Sequence, residues 1–93
     1  MRTIEQSSGF RKDYKRAFKG RHRKQLDEVL LPVLKALEND APLELRYRDY
    51  DLSGVWAGYL ECHIKPDLLL IYRKSSDDIL RLARLGSHSE LFG

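Results

Sequence analysis

The sequence has few of the residues that cross-link small proteins or hold metal in them. Among 93 residues there is one cysteine, Cys62, so no internal disulfide can form. A single thiol also cannot supply a sulfur-rich zinc site. The composition therefore suits a reducing compartment, in which apolar packing stabilises the fold.

Long apolar runs are also missing. Runs such as LLLIY at 68–72 are far shorter than the roughly 20 residues that span a membrane. The first ten residues, MRTIEQSSGF, lack the apolar stretch of a secretory signal. We therefore expect a cytoplasmic protein that makes no membrane contact. With 42% hydrophobic residues, a chain of this length can form one modest core, and we expect a single domain over 1–93.

Positive charge is concentrated in the first quarter of the chain. Residues 1–25 contain nine Lys or Arg and two acidic residues, whereas the rest contains eight basic and twelve acidic ones. Such asymmetry is typical of a protein that binds a polyanion or an acidic protein. A solvated helix face is the other interpretation, and composition does not decide between them.

Helical periodicity dominates the first half. The first six residues predict a short edge strand, and Ser7 or Ser8 can cap a helix that ends before Gly20. Apolar residues recur at helical spacing again over about 23–38. Pro32 lies inside this second pattern and predicts a kink or a split into two helices.

Strand signals replace the helical ones in the second half. We predict strands at 45–49, 56–64 and 79–85, and a central strand at 68–72 that is apolar on both faces. The tail, 86–93, is predicted to be irregular. Helices followed by an antiparallel sheet indicate an α+β fold, with two N-terminal helices packed on one face of the sheet.

Alternation separates two faces in the strand predicted at 56–64. It places Trp56 and Cys62 on the core face, and Glu61 and His63 on the opposite face. This position of His63 is compatible with a cleft, and an ordinary surface histidine fits the same pattern.

Three ionisable residues are candidates for chemistry: His63, Asp67 and His88. Cleavage of RNA without metal needs a base for the 2′-hydroxyl, an acid for the leaving oxygen and a cation for the phosphate. Histidine titrates near neutral pH and suits the first two tasks. Asp67 follows a proline in a turn, where aspartate also commonly binds backbone amides. No pair among the three has familiar metal-ligand spacing, so we expect no metal.

Arginine suits the third task because its planar guanidinium binds phosphate oxygens in pairs. The candidates are Arg73, Arg81 and Arg84. Strict alternation places Arg84 with Leu82 on the core face and exposes Arg81. A bulge near Leu85 would reverse that order, so the spacing leaves the choice open.

The second half resembles the YafQ branch of the RelE/ParE toxin superfamily. The matching features are Leu52, Gly54 and Trp56, the segment HIKPDLLLIY (63–72), and the segment RLARLGSHSELFG (81–93) with Gly86, His88, Leu91 and Phe92. The resemblance implies a microbial-ribonuclease-like domain that enters the ribosomal A site and cuts messenger RNA, with no metal or cofactor. It also implies a cognate antitoxin protein, and binding to operator DNA only through the toxin-antitoxin complex.

The resemblance also implies roles for individual residues. His63, Asp67 and His88 would be the acid and base groups, and Arg84 would stabilise the phosphate. Phe92 would position a base or the tail.

The family pattern adds three further points. It selects Arg84 over Arg81, against strict alternation. Tyr50 stands where histidine is common in the family, and because tyrosine titrates near pH 10 it can donate a hydrogen bond to phosphate but is a poor proton shuttle. Leu68 stands where relatives have an aromatic side chain that could stack on RNA.

The basic first quarter gains a role from this resemblance. Lys15, Arg16 and Lys19 would attach to ribosomal RNA through salt-sensitive phosphate contacts. Two other classes of function fit the same charge: an RNA-binding module without catalysis, and a ParE-like toxin that blocks a protein such as gyrase. A pure binder needs neither His63 nor His88, whereas proton transfer does.

Overall fold

The computed structural model describes residues 1–20, 23–76 and 78–93, and in these residues helices pack on a five-stranded sheet. The strands are β1 (Thr3–Gln6), β2 (Tyr50–Asp51), β3 (Leu60–Lys65), β4 (Leu68–Ser76) and β5 (Ile79–Gly86). The helices are α1 (Ser8–Lys19), α2 (Leu26–Glu38) and α3 (His88–Phe92), and short 3₁₀ helices span Leu45–Tyr47 and Gly54–Trp56.

The strand order across the sheet is β1-β5-β4-β3-β2. β1 runs parallel to β5, and every other neighbouring pair is antiparallel. The prediction of an α+β fold with an N-terminal edge strand is confirmed. The sheet is mixed rather than purely antiparallel, because β1 lies at the edge beside β5 and runs parallel to it.

The first helix has the predicted bounds. Ser7 is its N-cap, and the Ser7 hydroxyl accepts a hydrogen bond from the Phe10 backbone N–H at 2.9 Å. The helix ends at Lys19, and Gly20 is the C-cap. Phe10 is buried, so this helix packs one apolar stripe on the sheet and leaves its basic residues outside.

The second helix runs without interruption across Pro32, so the predicted split into two helices is wrong. Pro32 is exposed, whereas Leu26, Leu30, Val33 and Leu37 are buried in the core between helix and sheet. Burial of this apolar face compensates for the backbone hydrogen bond that a proline cannot make.

The sheet is apolar on both faces at its centre. One face carries the main core beneath α1 and α2, which includes Cys62, Leu70, Tyr72 and Leu82. The opposite face carries a smaller cluster: Leu69, Ile71, Ala83 and Leu91, with Leu52, Trp56 and Tyr59 packed around them. The prediction of a central strand covered on both sides is confirmed for β4.

Trp56 lies on the other face from the one predicted. It packs in the smaller cluster, and its ring lies edge-on to that of Tyr59 at 5.2 Å between centroids. The chain is a 3₁₀ helix at Gly54–Trp56 and becomes a strand only at Leu60. Strand alternation therefore does not extend back to Trp56.

Two other predicted segments differ in the structure. The strand expected at 45–49 is wrong, because Leu45–Tyr47 is a 3₁₀ helix and Leu45 is 95% exposed. Pairing with β3 begins only at Tyr50. The irregular tail expected at 86–93 is also wrong, because α3 forms there. No helix in the part of the chain that the structure describes is long and apolar enough to cross a membrane.

Candidate functional site

His63 lies on β3, on the sheet face away from α1 and α2. Its register partner is Leu69, which belongs to the smaller cluster on that face. The His63 Nε2 atom lies 3.0 Å from Glu61 Oε1, and the Tyr50 ring lies edge-on to the imidazole, 6.1 Å between centroids. The His63 side chain is 21% exposed. The imidazole is therefore fixed between two neighbours and remains open to solvent on part of its surface.

Glu61 is a residue of this site that was not predicted from the sequence. It is 8% exposed, and its carboxylate lies beside the imidazole because residues two apart on a strand share a face. A carboxylate at this spacing from a candidate histidine was the signal available in the sequence. Glu61 can orient the His63 ring through this contact.

Asp67 lies in the short connection between β3 and β4 and is half-buried. It lines a cleft of about 410 Å³ together with Arg16, Gly86, Ser87 and Glu90 among other residues. This cleft opens between the end of the sheet, α1 and α3.

In the part of the chain that the structure describes, β2 pairs only with Leu60 and Glu61, so β3 is an open edge at His63. At this edge His63 borders a different cleft, of about 750 Å³, whose other walls are α2 and the first 3₁₀ helix. Asp67 does not line that cleft, and neither Arg84 nor His88 lines either of the two. Among the described residues, neither of these two clefts therefore brings together the four residues predicted to be catalytic.

A register shift in β5 decides where Arg84 lies. Ile71 pairs with Arg84 but the next residue, Tyr72, pairs with Leu82, so Ala83 is the extra residue of a bulge. Arg84 is consequently removed from the core face that strict alternation gave it. The Arg84 Nε atom donates to Asp13 Oδ2 at 2.6 Å, and Nη2 donates to Asp13 Oδ1 at 3.2 Å.

Helix α1 covers the edge of β5 beyond the point where β1 stops pairing. The Ser7 hydroxyl donates to the Ala83 carbonyl at 2.6 Å, and the Asp13 carboxylate accepts from the Leu85 N–H at 3.0 Å. Arg16 Nη2 donates to the Leu85 carbonyl at 3.3 Å. Polar side chains of α1 thus satisfy the backbone groups that a missing strand would otherwise pair.

The last helix presents His88 and Phe92 on its exposed surface, with 5.0 Å between the ring centroids. Ser87 and Glu90 form a capping box at its start, because each side chain accepts a hydrogen bond from the other residue's backbone N–H. Leu91 anchors the helix in the smaller cluster. The signal for this helix, a serine followed three residues later by glutamate, is present in the sequence.

The register relates the two histidines. His63 pairs with Leu69 on β4, Leu69 pairs with Gly86 on β5, and His88 follows Gly86 by two residues. Neighbouring strands lie about 4.8 Å apart, so the backbones of His63 and Gly86 are roughly 10 Å apart, and the chain enters α3 at His88 directly after this level.

The other cations that were predicted from the sequence lie away from His63 and His88, either near β1 or on α1. Arg81 forms an ion pair with Glu5 of β1. Lys15, Arg16 and Lys19 are exposed on α1. Arg21, which belongs to the same basic segment, lies outside the described residues.

Cys62 is a free cysteine buried in the main core. Burial raises the pKa of the Cys62 thiol, so the thiol stays neutral and is a poor nucleophile. Within 1–20, 23–76 and 78–93, no group of three His, Cys, Asp or Glu side chains is arranged to hold a metal ion.

Comparison with known proteins gives consistent matches along the whole chain. The family model of the bacterial YafQ toxin of type II toxin-antitoxin systems matches residues 2–93. The mRNA interferase toxin YafQ of Escherichia coli K12 is 41% identical over 92 residues, which cover 99% of this chain and 97% of that protein.

Two solved structures illustrate the similarity of fold. In the Escherichia coli DinJ–YafQ complex, the matching chain is 39% identical with a TM-score of 0.84, and the match covers 100% of both chains. A metal-bound toxin from Helicobacter pylori is 43% identical with a TM-score of 0.84, and the match covers 99% of this chain and 100% of the toxin.

Proposed function

This chain belongs to the YafQ family of bacterial toxins of type II toxin-antitoxin systems, and from this premise we propose that it is an endoribonuclease that cuts messenger RNA. The observation that carries the proposal is the arrangement of His63 on β3, Arg84 on β5 and His88 at the start of α3, with one strand, β4, between β3 and β5. His63 and Gly86 lie on either side of Leu69, His88 follows Gly86 by two residues, and Arg84 precedes it by two.

The proposed reaction is attack of a ribose 2′-hydroxyl on the adjacent phosphate. One imidazole, of His63 or His88, removes the 2′-hydroxyl proton, and the other protonates the 5′ oxygen as the P–O bond breaks. The products are a 2′,3′-cyclic phosphate and a 5′-hydroxyl. Asp67 shares the acid and base work, and Arg84 stabilises the extra negative charge of the pentacoordinate phosphate.

Two aromatic residues support these groups. Tyr50 is 50% exposed and lies against His63, where its hydroxyl can donate a hydrogen bond to a phosphate oxygen. Phe92 is 37% exposed beside His88 and offers an apolar surface for a nucleobase. Both flank the proposed path of the RNA.

We propose that cleavage takes place on the ribosome, in the A site. The exposed cations Lys15, Arg16 and Lys19 form a positive surface on α1 that suits contact with ribosomal RNA. Arg81 also adds positive charge, although Glu5 pairs with it. Contacts to phosphate are sequence-independent, so they would position the toxin rather than choose the codon.

We propose that a cognate antitoxin holds the chain inactive. The similar Escherichia coli protein is in complex with DinJ, and an acidic partner segment would complement the positive field of α1 here. Operator DNA would be bound through that complex, chiefly by the antitoxin.

The proposed chemistry uses no metal or cofactor. The similar Helicobacter pylori toxin is metal-bound, but the described residues of this chain offer no cluster of three ligands. We expect the toxin to cleave ribosome-bound mRNA at an unchanged rate after it has been treated with EDTA by itself and the chelator has been removed before ribosomes are added.

Primer extension on an mRNA, with and without ribosomes, tests the proposal. We expect discrete cuts only when ribosomes are present, and loss of those cuts in the Arg84→Gln variant. Intact transcripts, combined with growth arrest in cells that make the chain, would support a toxin that blocks a protein target or a non-catalytic RNA binder instead.

A further inference from the structure

Asp13 is a buried carboxylate to which the proposed reaction assigns no step. It lies on α1 and is 2% exposed. A buried carboxylate is costly unless it is paired and hydrogen-bonded. Asp13 is paired with Arg84 through two hydrogen bonds, and its Oδ2 atom also accepts from the Leu85 N–H. These contacts fix the carboxylate to the same strand that carries the arginine.

The ion pair with Asp13 uses one edge of the Arg84 guanidinium and leaves the other edge available to bind a ligand. Nε and Nη2 face Asp13, whereas Nη1 donates no hydrogen bond to the part of the chain that the structure describes. The Arg84 side chain is 30% exposed. A guanidinium has donors on two edges, so it can bind Asp13 with one and phosphate oxygens with the other.

Gly9 provides the space through which the arginine reaches Asp13. It lies one helical turn before Asp13 on the same face of α1. A Cβ atom at Gly9 would lie 3.1 Å from the Arg84 Cδ atom, which is tighter than an ordinary contact. The helix itself does not need glycine here, since Gly9 is not among the glycines with positive φ.

We propose that Asp13 is a positioning residue, which fixes the Arg84 guanidinium so that its free edge faces the phosphate of the RNA. The inference rests on the proposed function, because it assumes that Arg84 stabilises the reacting phosphate. Without Asp13, the long arginine side chain would occupy several rotamers, and only a minority would place a donor fork at the phosphate.

The Asp13→Asn variant tests this role by cleavage of ribosome-bound mRNA. The amide keeps the shape and can still accept from the Leu85 N–H, but it loses the charge that holds the Arg84 guanidinium. That charge also attracts Arg16, whose Nη2 atom lies 3.2 Å from Asp13 Oδ1. We expect kcat to fall about 10²-fold, with KM changed by no more than about twofold, because positioning matters most in the transition state. Glu5→Gln, which makes the same chemical change beside Arg81, should keep the wild-type kcat.

A double variant separates positioning from a general structural effect. In an Arg84→Lys background, Asp13→Asn should lower kcat by less than about twofold, because the fork that Asp13 orients is already gone. An Asp13→Asn chain that is folded and keeps wild-type kcat would overturn the inference. So would a full 10²-fold loss in the Arg84→Lys background.

Gly9→Ala provides a second test that does not remove a charge. Alanine is preferred to glycine in helices, which offsets part of the cost of shifting the Arg84 side chain, so thermal stability should change little. The added methyl group should displace the Arg84 side chain and lower kcat. An unchanged kcat would mean that the position of the Arg84 side chain beside Gly9 does not affect catalysis. Failure of the proposed function is a separate result, in which Arg84→Lys cleaves as fast as the wild type or the wild type does not cleave RNA.

Discussion

Arg16 joins the first helix to the last, because its Nε atom lies 3.1 Å from Glu90 Oε2 while its Nη2 atom lies 3.2 Å from Asp13 Oδ1. Glu90 is also part of the capping box that starts α3, where its carboxylate accepts from the Ser87 N–H at 2.8 Å. One carboxylate therefore both starts the helix that carries His88 and attaches it to α1. Changes at Glu90 should affect α3 before they affect the rest of the fold.

The pH dependence of stability should report this attachment. Hydrogen bonds from Ser87, together with the charge of Arg16, lower the pKa of Glu90 below its ordinary value of 4.5. A lowered folded-state pKa means that the stabilisation is fully present above about pH 4.5 and is lost as the pH falls through the folded-state value. We expect the wild type to lose more thermal stability than Glu90→Gln between pH 5 and about pH 3.

Melting curves monitored by circular dichroism at several pH values would measure this difference. Glu28→Gln is a matched control, because Glu28 is an exposed carboxylate on α2 for which the structure shows no hydrogen bond or ion pair to the described residues. Its pH profile should run parallel to that of the wild type. Parallel profiles for Glu90→Gln and the wild type would contradict the prediction.

The contact between Glu61 and His63 predicts an effect on cleavage rather than on folding. Glu61→Gln keeps the size of the side chain, but it weakens the hydrogen bond to the His63 imidazole because the charge of the carboxylate is lost. We expect kcat to fall about tenfold or more, as when the partner of a functional histidine is changed. Single-turnover cleavage of ribosome-bound mRNA measures the effect, and Glu44→Gln, an exposed change near the same cleft, serves as the control. A wild-type rate in Glu61→Gln would show that the contact does not orient the base.

His88 provides the most direct test of proton transfer. His88→Gln should lower the cleavage rate by about 10²- to 10⁴-fold, because glutamine can donate a hydrogen bond but cannot exchange a proton near neutral pH. The side chain is exposed, so the melting temperature should change little. Cleavage at the wild-type rate by the folded variant would exclude His88 as an acid or base.

Local patterns in the sequence predicted most elements that depend on short-range signals. The bounds of α1 follow from a serine cap and a terminal glycine, and β4 follows from an apolar run that suits a strand covered on both faces. The segment at 45–49 failed because strand propensity alone does not supply a partner, and only Tyr50 and Asp51 reach the register of β3. The helix at the C-terminus was missed although its capping box is visible in the sequence.

The site depends on relations that no local pattern contains. Asp13 and Arg84 are 71 positions apart, and their pairing requires both the bulge at Ala83 and the placement of α1 along the edge of β5. The spacing of the arginines did allow for a bulge, but nothing in it pointed to a carboxylate on the first helix. The face of His63 was predictable because Glu61, Cys62 and His63 alternate regularly within β3.

Tyr72 offers a test of stability that does not depend on the proposed function. It is buried, and its hydroxyl donates to Asp49 Oδ1 at 2.5 Å. Burial and the hydrogen bond to Asp49 raise the pKa of Tyr72, so the hydroxyl remains a donor at any physiological pH. Tyr72→Phe should lower the free energy of unfolding by about 1 kcal/mol, the usual net value of one such bond.

Urea denaturation would measure that loss as a lower midpoint with an unchanged slope. Tyr47→Phe is the matched control, since the Tyr47 hydroxyl contacts only the exposed Arg46 side chain among the described residues. Its midpoint should match that of the wild type. An equal midpoint for Tyr72→Phe would mean that the Asp49 contact adds nothing to the free energy of unfolding.

The cations on α1 predict how binding to the ribosome responds to salt. Each phosphate contact that a lysine makes releases about 0.7 to 0.9 counterions, which sets the slope of log affinity against log salt concentration. Lys15 and Lys19 are exposed, and neither forms an ion pair with the described residues. A Lys15→Gln, Lys19→Gln double variant should therefore weaken binding and make the slope about 1.5 units shallower, with kcat at saturation unchanged.

The test is to measure the affinity for ribosome-mRNA complexes between 50 and 200 mM KCl, which is roughly the range over which phosphate contacts weaken strongly. Lys35→Gln, on α2, should keep the wild-type slope, and a double variant with that same slope would show that α1 does not contact RNA.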